Sequence, residues 1–207
     1  MRKHRMALIG AVCLLLILIL GALAAWQIMR VNSEAPKAVV EEYSLGDTVK
    51  LEGSFLESTS EENTNYTICV NSAERMSYNE YIAKYGVNKK KTKKDGNDKS
   101  ILCLNATITN TGSEMGCLSI YDMRLLPESK NTYYIAQESI WKKSEKNLAT
   151  WPNLISVKPS TSYTVHIPFT VNTDDELIAE GYIQGKSFTL YLTDWPKSKR
   201  VLFELDE

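Results

Sequence analysis

The strongest pattern in the chain is an unbroken apolar run from Ala7 to Trp26, with no charged or strongly polar side chain in it. A helix rises about 1.5 Å per residue, so about 20 such residues cross a hydrocarbon core of about 30 Å. The run predicts a transmembrane helix over residues 7–28. Arg2, Lys3 and Arg5 precede it in a basic segment, residues 1–6, and only Arg30 follows closely. The positive-inside rule therefore places the N-terminus in the cytoplasm and the rest of the chain outside, with the cell membrane as its location. Trp26 stands where an interfacial aromatic would stand. Ala22-Leu23-Ala24 also fits signal peptidase, which would release a secreted form cleaved near Ala24. The apolar run exceeds a usual signal core of about 7 to 15 residues, so an uncleaved signal anchor is the preferred reading. Residues 29–42, with Asn, Ser, Pro and a Glu pair and no sustained period, read as a linker.

From residue 43 the hydrophobic period shifts to two, the period of strands. Thr48 to Leu56 alternates roughly. Tyr66, Ile68 and Val70 share one face, and Leu102, Leu104, Ala106 and Ile108 share another. Further strands are predicted over Cys117–Leu126, Ser162–Val171, Phe188–Thr193 and Arg200–Leu205. Pro168 inside such a run predicts an edge strand or a bulge. Short strands separated by turns, without strand-helix alternation, predict an all-β sandwich of about seven strands over residues 43–207.

One helical insertion, residues 77–99, interrupts the strands. Ser77-Tyr78-Asn79-Glu80 is a capping box, and Tyr78, Tyr81, Ile82 and Tyr85 then fall at helical spacing. The expected stop is Gly86 as a left-handed cap. A second short helix is expected near Gln137–Lys146. The insertion ends in Lys89, Lys90, Lys91, Lys93 and Lys94, read first as a solvated loop. The alternative is contact with an anionic surface, since each basic residue near anionic lipid is worth about 1 kcal/mol.

Composition narrows the function. Net charge is −1, from 24 basic and 25 acidic residues, which argues against nucleic acid as a partner. With Cys13 in the span, Cys69, Cys103 and Cys117 remain outside, too few for a disulfide scaffold, and they read as small hydrophobes. No Cys/His metal spacing occurs, and no cofactor is implied. His166 is the one histidine beyond the basic N-terminus, and it sits in a strand, so a catalytic triad would have to use it. The acidic stretches Glu61-Glu62 and Asp174-Asp175-Glu176 read as turns rather than a paired acid and base. Asp95-Gly96-Asn97-Asp98 lacks the calcium-loop spacing. Asn65-Tyr66-Thr67 and Asn105-Ala106-Thr107 match the glycosylation sequon by chance.

Several stretches together resemble one family: Tyr43-Ser44-Leu45-Gly46-Asp47-Thr48-Val49, Leu104-Asn105-Ala106-Thr107-Ile108-Thr109-Asn110-Thr111-Gly112, Val157-Lys158-Pro159-Ser160 and Tyr191-Leu192-Thr193-Asp194-Trp195-Pro196. The chain resembles the immunoglobulin-like, telokin-like extracytoplasmic domains of unknown function that Gram-positive bacteria attach to a single membrane segment. The resemblance implies an immunoglobulin-like β-sandwich and no catalytic residues. The function expected is a non-enzymatic, membrane-anchored cell-surface binding module with an unknown protein or cell-wall partner. A wall-polymer or carbohydrate binder is the alternative, its stacking residues being Tyr133, Tyr134, Trp141 and Trp151. An extracytoplasmic hydrolase is a further alternative, which the scarcity of histidine disfavours.

Overall fold

The computed structural model describes residues 2–35, 37–56, 63–87, 100–112, 118–120, 122–128, 133–145, 154–170 and 185–205. The chain divides into two compact units, Met1–Lys37 and Ala38–Glu207. The first is helix α1, Arg2–Glu34. Its segment Val12–Glu34 has a mean hydropathy of 2.5 and is long and apolar enough to cross a membrane. The helix extends past the predicted end at residue 28, through Val31–Glu34. The stretch expected as a linker over 29–42 is shared between this helix, which runs to Glu34, and a strand that begins at Val39. Its first part continues the helix, where no proline or glycine intervenes before Pro36, and its last part is already strand.

The second unit is mostly β. Its strands are β1 (Val39–Tyr43), β2 (Thr48–Lys50), β3 (Tyr66–Ser77), β4 (Ser100–Asn110), β5 (Leu118–Ser119), β6 (Arg124–Pro127), β7 (Tyr134–Ala136), β8 (Leu154–Ile155), β9 (Thr161–Thr170), β10 (Ser187–Tyr191) and β11 (Lys197–Glu204). Among the described residues two helices accompany them, α2 (Tyr78–Tyr85) and α3 (Glu138–Trp141). Nine strands form one sheet in the order β1-β11-β10-β6-β7-β9-β4-β3-β2, and β5 pairs β8 separately. All ladders are antiparallel except β1 with β11. The eleven described strands exceed the expected seven by four: β7 and β8 are too short to show a period, the stretch expected over Cys117–Leu126 is divided into β5 and β6, and β1 lies in the stretch read as linker. The strand expected over Thr48–Leu56 stops at Lys50, where Glu52 and Gly53 take φ of 54° and 75° and turn the chain.

The sheet folds over so that its two halves share one core. Ile68, Leu104, Ile108 and Val165 from the β3-β4-β9 half pack in one cluster with Leu125, Phe188, Leu190 and Val201 from the β6-β10-β11 half. The two ends of the sheet meet: Phe55 and Trp195 form an antiparallel bridge. Lys199 of β11 is buried to 1% side-chain exposure at this seam. Its ammonium donates to the Lys50 carbonyl and lies 2.9 Å from Glu52 Oε2 and 3.4 Å from Glu41 Oε2. Lys197 Nζ lies 3.0 Å from both carboxylates, and the Tyr43 hydroxyl donates to Glu41. A charge removed from water is tolerated when partners and hydrogen bonds surround it, as here.

Pro168 is an exception to the edge-strand expectation, since β9 lies between β4 and β7. The β7 ladder reaches only Phe169 and Thr170, and the Gln137 N–H donates to the Pro168 carbonyl. The N–H and C=O of a strand residue point to the same neighbour. The absent Pro168 donor therefore faces the point where β7 has given way to α3, and no ladder bond is lost.

The seam generates one prediction. Lys199→Ala leaves the Lys50 carbonyl without its partner and the two carboxylates with less compensation, and should lower unfolding stability by about 3 kcal/mol in urea denaturation. The same cluster responds to acid. Hydrogen bonds from Lys199 and Lys197 hold Glu52 down to about 2, and those from Lys197 and Tyr43 hold Glu41 below the usual range. Their contribution is present above about pH 4.5 and is lost as pH falls toward 2, so the thermal midpoint should drop through that window less steeply in Lys199→Ala than in wild type.

Candidate functional site

The candidate site is the outer face of β3, β4 and β9, and its extent is set by α2. Alternation puts Leu104, Ala106 and Ile108 of β4 into the core, so Asn105, Thr107 and Thr109 point outward. From β3 the outward side chains are Thr67, Cys69 and Asn71, the last at a register shift between Val70 and Ser72. From β9 they are Ser162, Thr164 and His166. Register sets Cys69 opposite Thr107, and Thr107, Thr109 and Asn105 opposite Thr164, Ser162 and His166.

These side chains join across the strands. The Asn71 amide donates to Asn105 Oδ1 and to Thr107 Oγ1, both at 2.9 Å. Thr107 and Thr164 hydroxyls meet at 3.3 Å, and Thr109 and Ser162 at 2.8 Å. No Asp, Glu, Lys or Arg stands among the outward positions of β3 from Thr67 to Asn71, β4 from Asn105 to Thr109 and β9 from Ser162 to His166. Charges border the face at Lys50 on the edge strand β2, and at the Lys84–Glu74 pair beside α2, 2.6 Å apart. Nearly a quarter of the chain is charged, so a face of this breadth without charge is a departure from the rest of the sequence.

Helix α2 covers the other end of the same outer face. The capping box forms as expected: Glu80 N–H donates to Ser77 Oγ, and the Ser77 N–H donates to Glu80 Oε2. Tyr78, Tyr81 and Ile82 are buried against Met76, Ile101 and Cys103, with Ile140 of α3. This second cluster is why β4 is buried without interruption from Ser100 to Leu104 and alternates only after it. The stop differs from the expected left-handed cap. Gly86 has φ −59° and ψ 134°, and glycine is required there by crowding instead: a Cβ would stand 2.4 Å from the Ile82 carbonyl oxygen.

At the border between covered and open face, Tyr85 stacks on His166 with ring centroids 4.0 Å apart and planes 21° from parallel. The Tyr81 hydroxyl donates to the His166 carbonyl at 2.7 Å and meets the Ser144 hydroxyl at 2.6 Å. Tyr163 donates to the buried carboxylate of Glu145 at 2.7 Å. Burial lowers the His166 pKa, partly countered by Glu145, so the imidazole is neutral at pH 7. Burial pushes the Cys103 thiol up to about 12 and the Tyr81 hydroxyl upward as well. A thiol held protonated is a poor nucleophile. Among the described residues no three of His, Cys, Asp and Glu gather as metal ligands.

Three of the four stacking residues expected from sequence lie among the described residues. Tyr133 is exposed, but Tyr134 and Trp141 are core residues at 3% and 0% exposure, which corrects their assignment to a sugar platform. They follow the inward phase of β7 and the buried side of α3. Trp151, the run Lys89, Lys90, Lys91, Lys93 and Lys94, and the stretches Glu61-Glu62, Asp95–Asp98 and Asp174–Glu176 lie outside the described residues. His166, expected in a strand, is half-buried in β9, and its stacked partner comes from a helix whose docking site could not be read from spacing. The polar face itself was legible as the outward phase of strands read only for their inward one.

Residues 40–199 match the family model described as domain of unknown function DUF5028. The chain belongs to that family. No curated protein matches it. Two solved structures show a distant likeness to this DUF5028 protein. One is the secreted protein MPT63 from Mycobacterium tuberculosis, at 9% identity and a TM-score of 0.42, covering 82% of this chain and 100% of that one. The other is the yjhA protein from Bacillus subtilis, at 13% identity and a TM-score of 0.39, covering 79% and 99%.

The junction of α2 with β9 can be probed singly. Tyr81→Phe leaves the ring packed but takes the donor from the His166 carbonyl, and should cost about 1–3 kcal/mol in urea denaturation.

Proposed function

We propose that this DUF5028 chain is a non-enzymatic binding module displayed outside the cytoplasm, with the outer face of β3, β4 and β9 as its working surface. The observation that carries the reading is the open, uncharged, hydrogen-bonding face that ends at the Tyr85–His166 stack. The exposed face of a sheet is ordinarily kept soluble by Lys and Glu, and their absence over three adjacent strands calls for a use of the surface. The α1 helix serves as a signal anchor, and Arg2, Lys3 and Arg5 ahead of the apolar run favour a cytoplasmic N-terminus. A likeness to the immunoglobulin-like, telokin-like domains that Gram-positive bacteria tether in this way is part of the same proposal, and it rests on the sequence stretches that resemble them. A binding rather than catalytic role is supported by the protonated, buried Cys103 and by His166, whose ring is engaged by Tyr85.

Photo-cross-linking in intact cells tests the surface. A photoreactive residue at Thr164, on the proposed face, should give a cross-linked product in the cell envelope, and the same residue at Thr189, on the outer side of β10, should give none. Equal products from both positions, or none from Thr164, would contradict the assignment.

A further inference from the structure

Resting on the reading of the β3-β4-β9 face as the working surface, we propose that its ligand is a neutral glycan, held by the threonine and asparagine grid and bounded by Tyr85. The grid supplies what sugar hydroxyls need. A Thr or Ser hydroxyl both donates and accepts, and an Asn amide offers two donors and a carbonyl. Thr164, Ser162 and Asn71 are exposed, and Asn105, Thr107 and Thr109 are half-buried, as on the flat middle of a sheet. In the bonds on this face each Thr hydroxyl keeps at least one donor or acceptor site unused, so ligand binding need not break the existing bonds. Three strands set about 4.8 Å apart make a polar surface roughly 10 Å across, wider than one sugar ring, which favours an oligomer over a monosaccharide.

Two other ligand classes fit worse. A phosphate or carboxylate polymer is normally met by Arg or Lys in charge-assisted bonds, and the face offers neither. A protein partner normally docks on a buried aromatic or aliphatic anchor, and apart from Tyr85 at its rim the grid has no large apolar side chain. Tyr85 is half-buried, stacked on His166 and with the Lys84 ammonium 5.3 Å from its ring centroid, and stands as a fixed aromatic border at the rim of the grid.

The test is titration of the full chain in nanodiscs with cello-, chito-, galacto- and manno-oligosaccharides, read by calorimetry. At least one series should bind with a dissociation constant below about 1 mM. Thr164→Lys, which inserts a charge into the grid, should weaken that binding about tenfold or more. Thr164→Val, which removes only the hydroxyl at nearly constant shape, should weaken it less. Thr189→Lys on the opposite outer face should leave it unchanged. The proposal is overturned if no series binds, or if Thr164→Lys and Thr164→Val bind as wild type does. A protein cross-linked from Thr164 together with no oligosaccharide binding would overturn the glycan class and leave the working surface standing. Neither cross-link nor binding would overturn both.

Discussion

The organisation of the site depends on α2 docking across one end of the β3-β4 outer face. Strand β4 has two characters as a result. From Ser100 to Leu104 it is buried on both sides, by the main core within and by Tyr78, Tyr81 and Ile82 without. From Asn105 to Thr109 it is buried on one side only, and its other side is the polar grid. The helix is eight residues long, too short to be stable alone in water, so the apolar contacts must hold it as much as its capping box does. The Tyr81 hydroxyl then fastens it to the carbonyl of His166, and Tyr85 closes over the imidazole. One short helix thus fixes both the border of the open face and the aromatic wall that stands on it.

The lysine at the seam serves the same face from the opposite side of the domain. The sheet presents a level outer surface over β3, β4 and β9 only while the inner core behind them stays closed. Closure depends on β11 and β2 meeting, and Lys199 joins them through Glu52 and the Lys50 carbonyl. Buried ion pairs often cost as much in desolvation as they return in attraction. Here the cluster draws together residues far apart in the sequence, which gives it a role in register beyond any net stabilisation. Lys199 lies in a strand whose flanking residues alternate, and nothing in the sequence marks it as buried rather than solvated.

Long periodic elements were legible in the sequence, and elements made by contact were not. The apolar run of α1, the inward phases of β3 and β4 and the Ser77–Glu80 box follow from local spacing alone. Strands β5, β7 and β8 exist because neighbours pair with them, and two or three residues carry no period to read. Tyr134 and Trp141 looked like surface rings because their burial is decided by which side of a short strand and a single helical turn meets the core. Gly86 was rightly placed at a helix end but for another reason: the crowding of Ile82, not a positive φ, requires it. The polar grid was present in the sequence as the residues between the core positions, and it gained meaning only when three strands lay side by side.

The central claim, that the open end of this outer face is where the domain meets its ligand, is tested most directly by threonine-methyl NMR. The full chain, methyl-labelled at threonine in nanodiscs, would be observed while cell-envelope material from the producing cell is added. The account predicts shifts or broadening at Thr107, Thr109 and Thr164, with Thr189 on the far side of the sandwich unchanged. Changes confined to Thr189, or none at the three grid threonines, would contradict it.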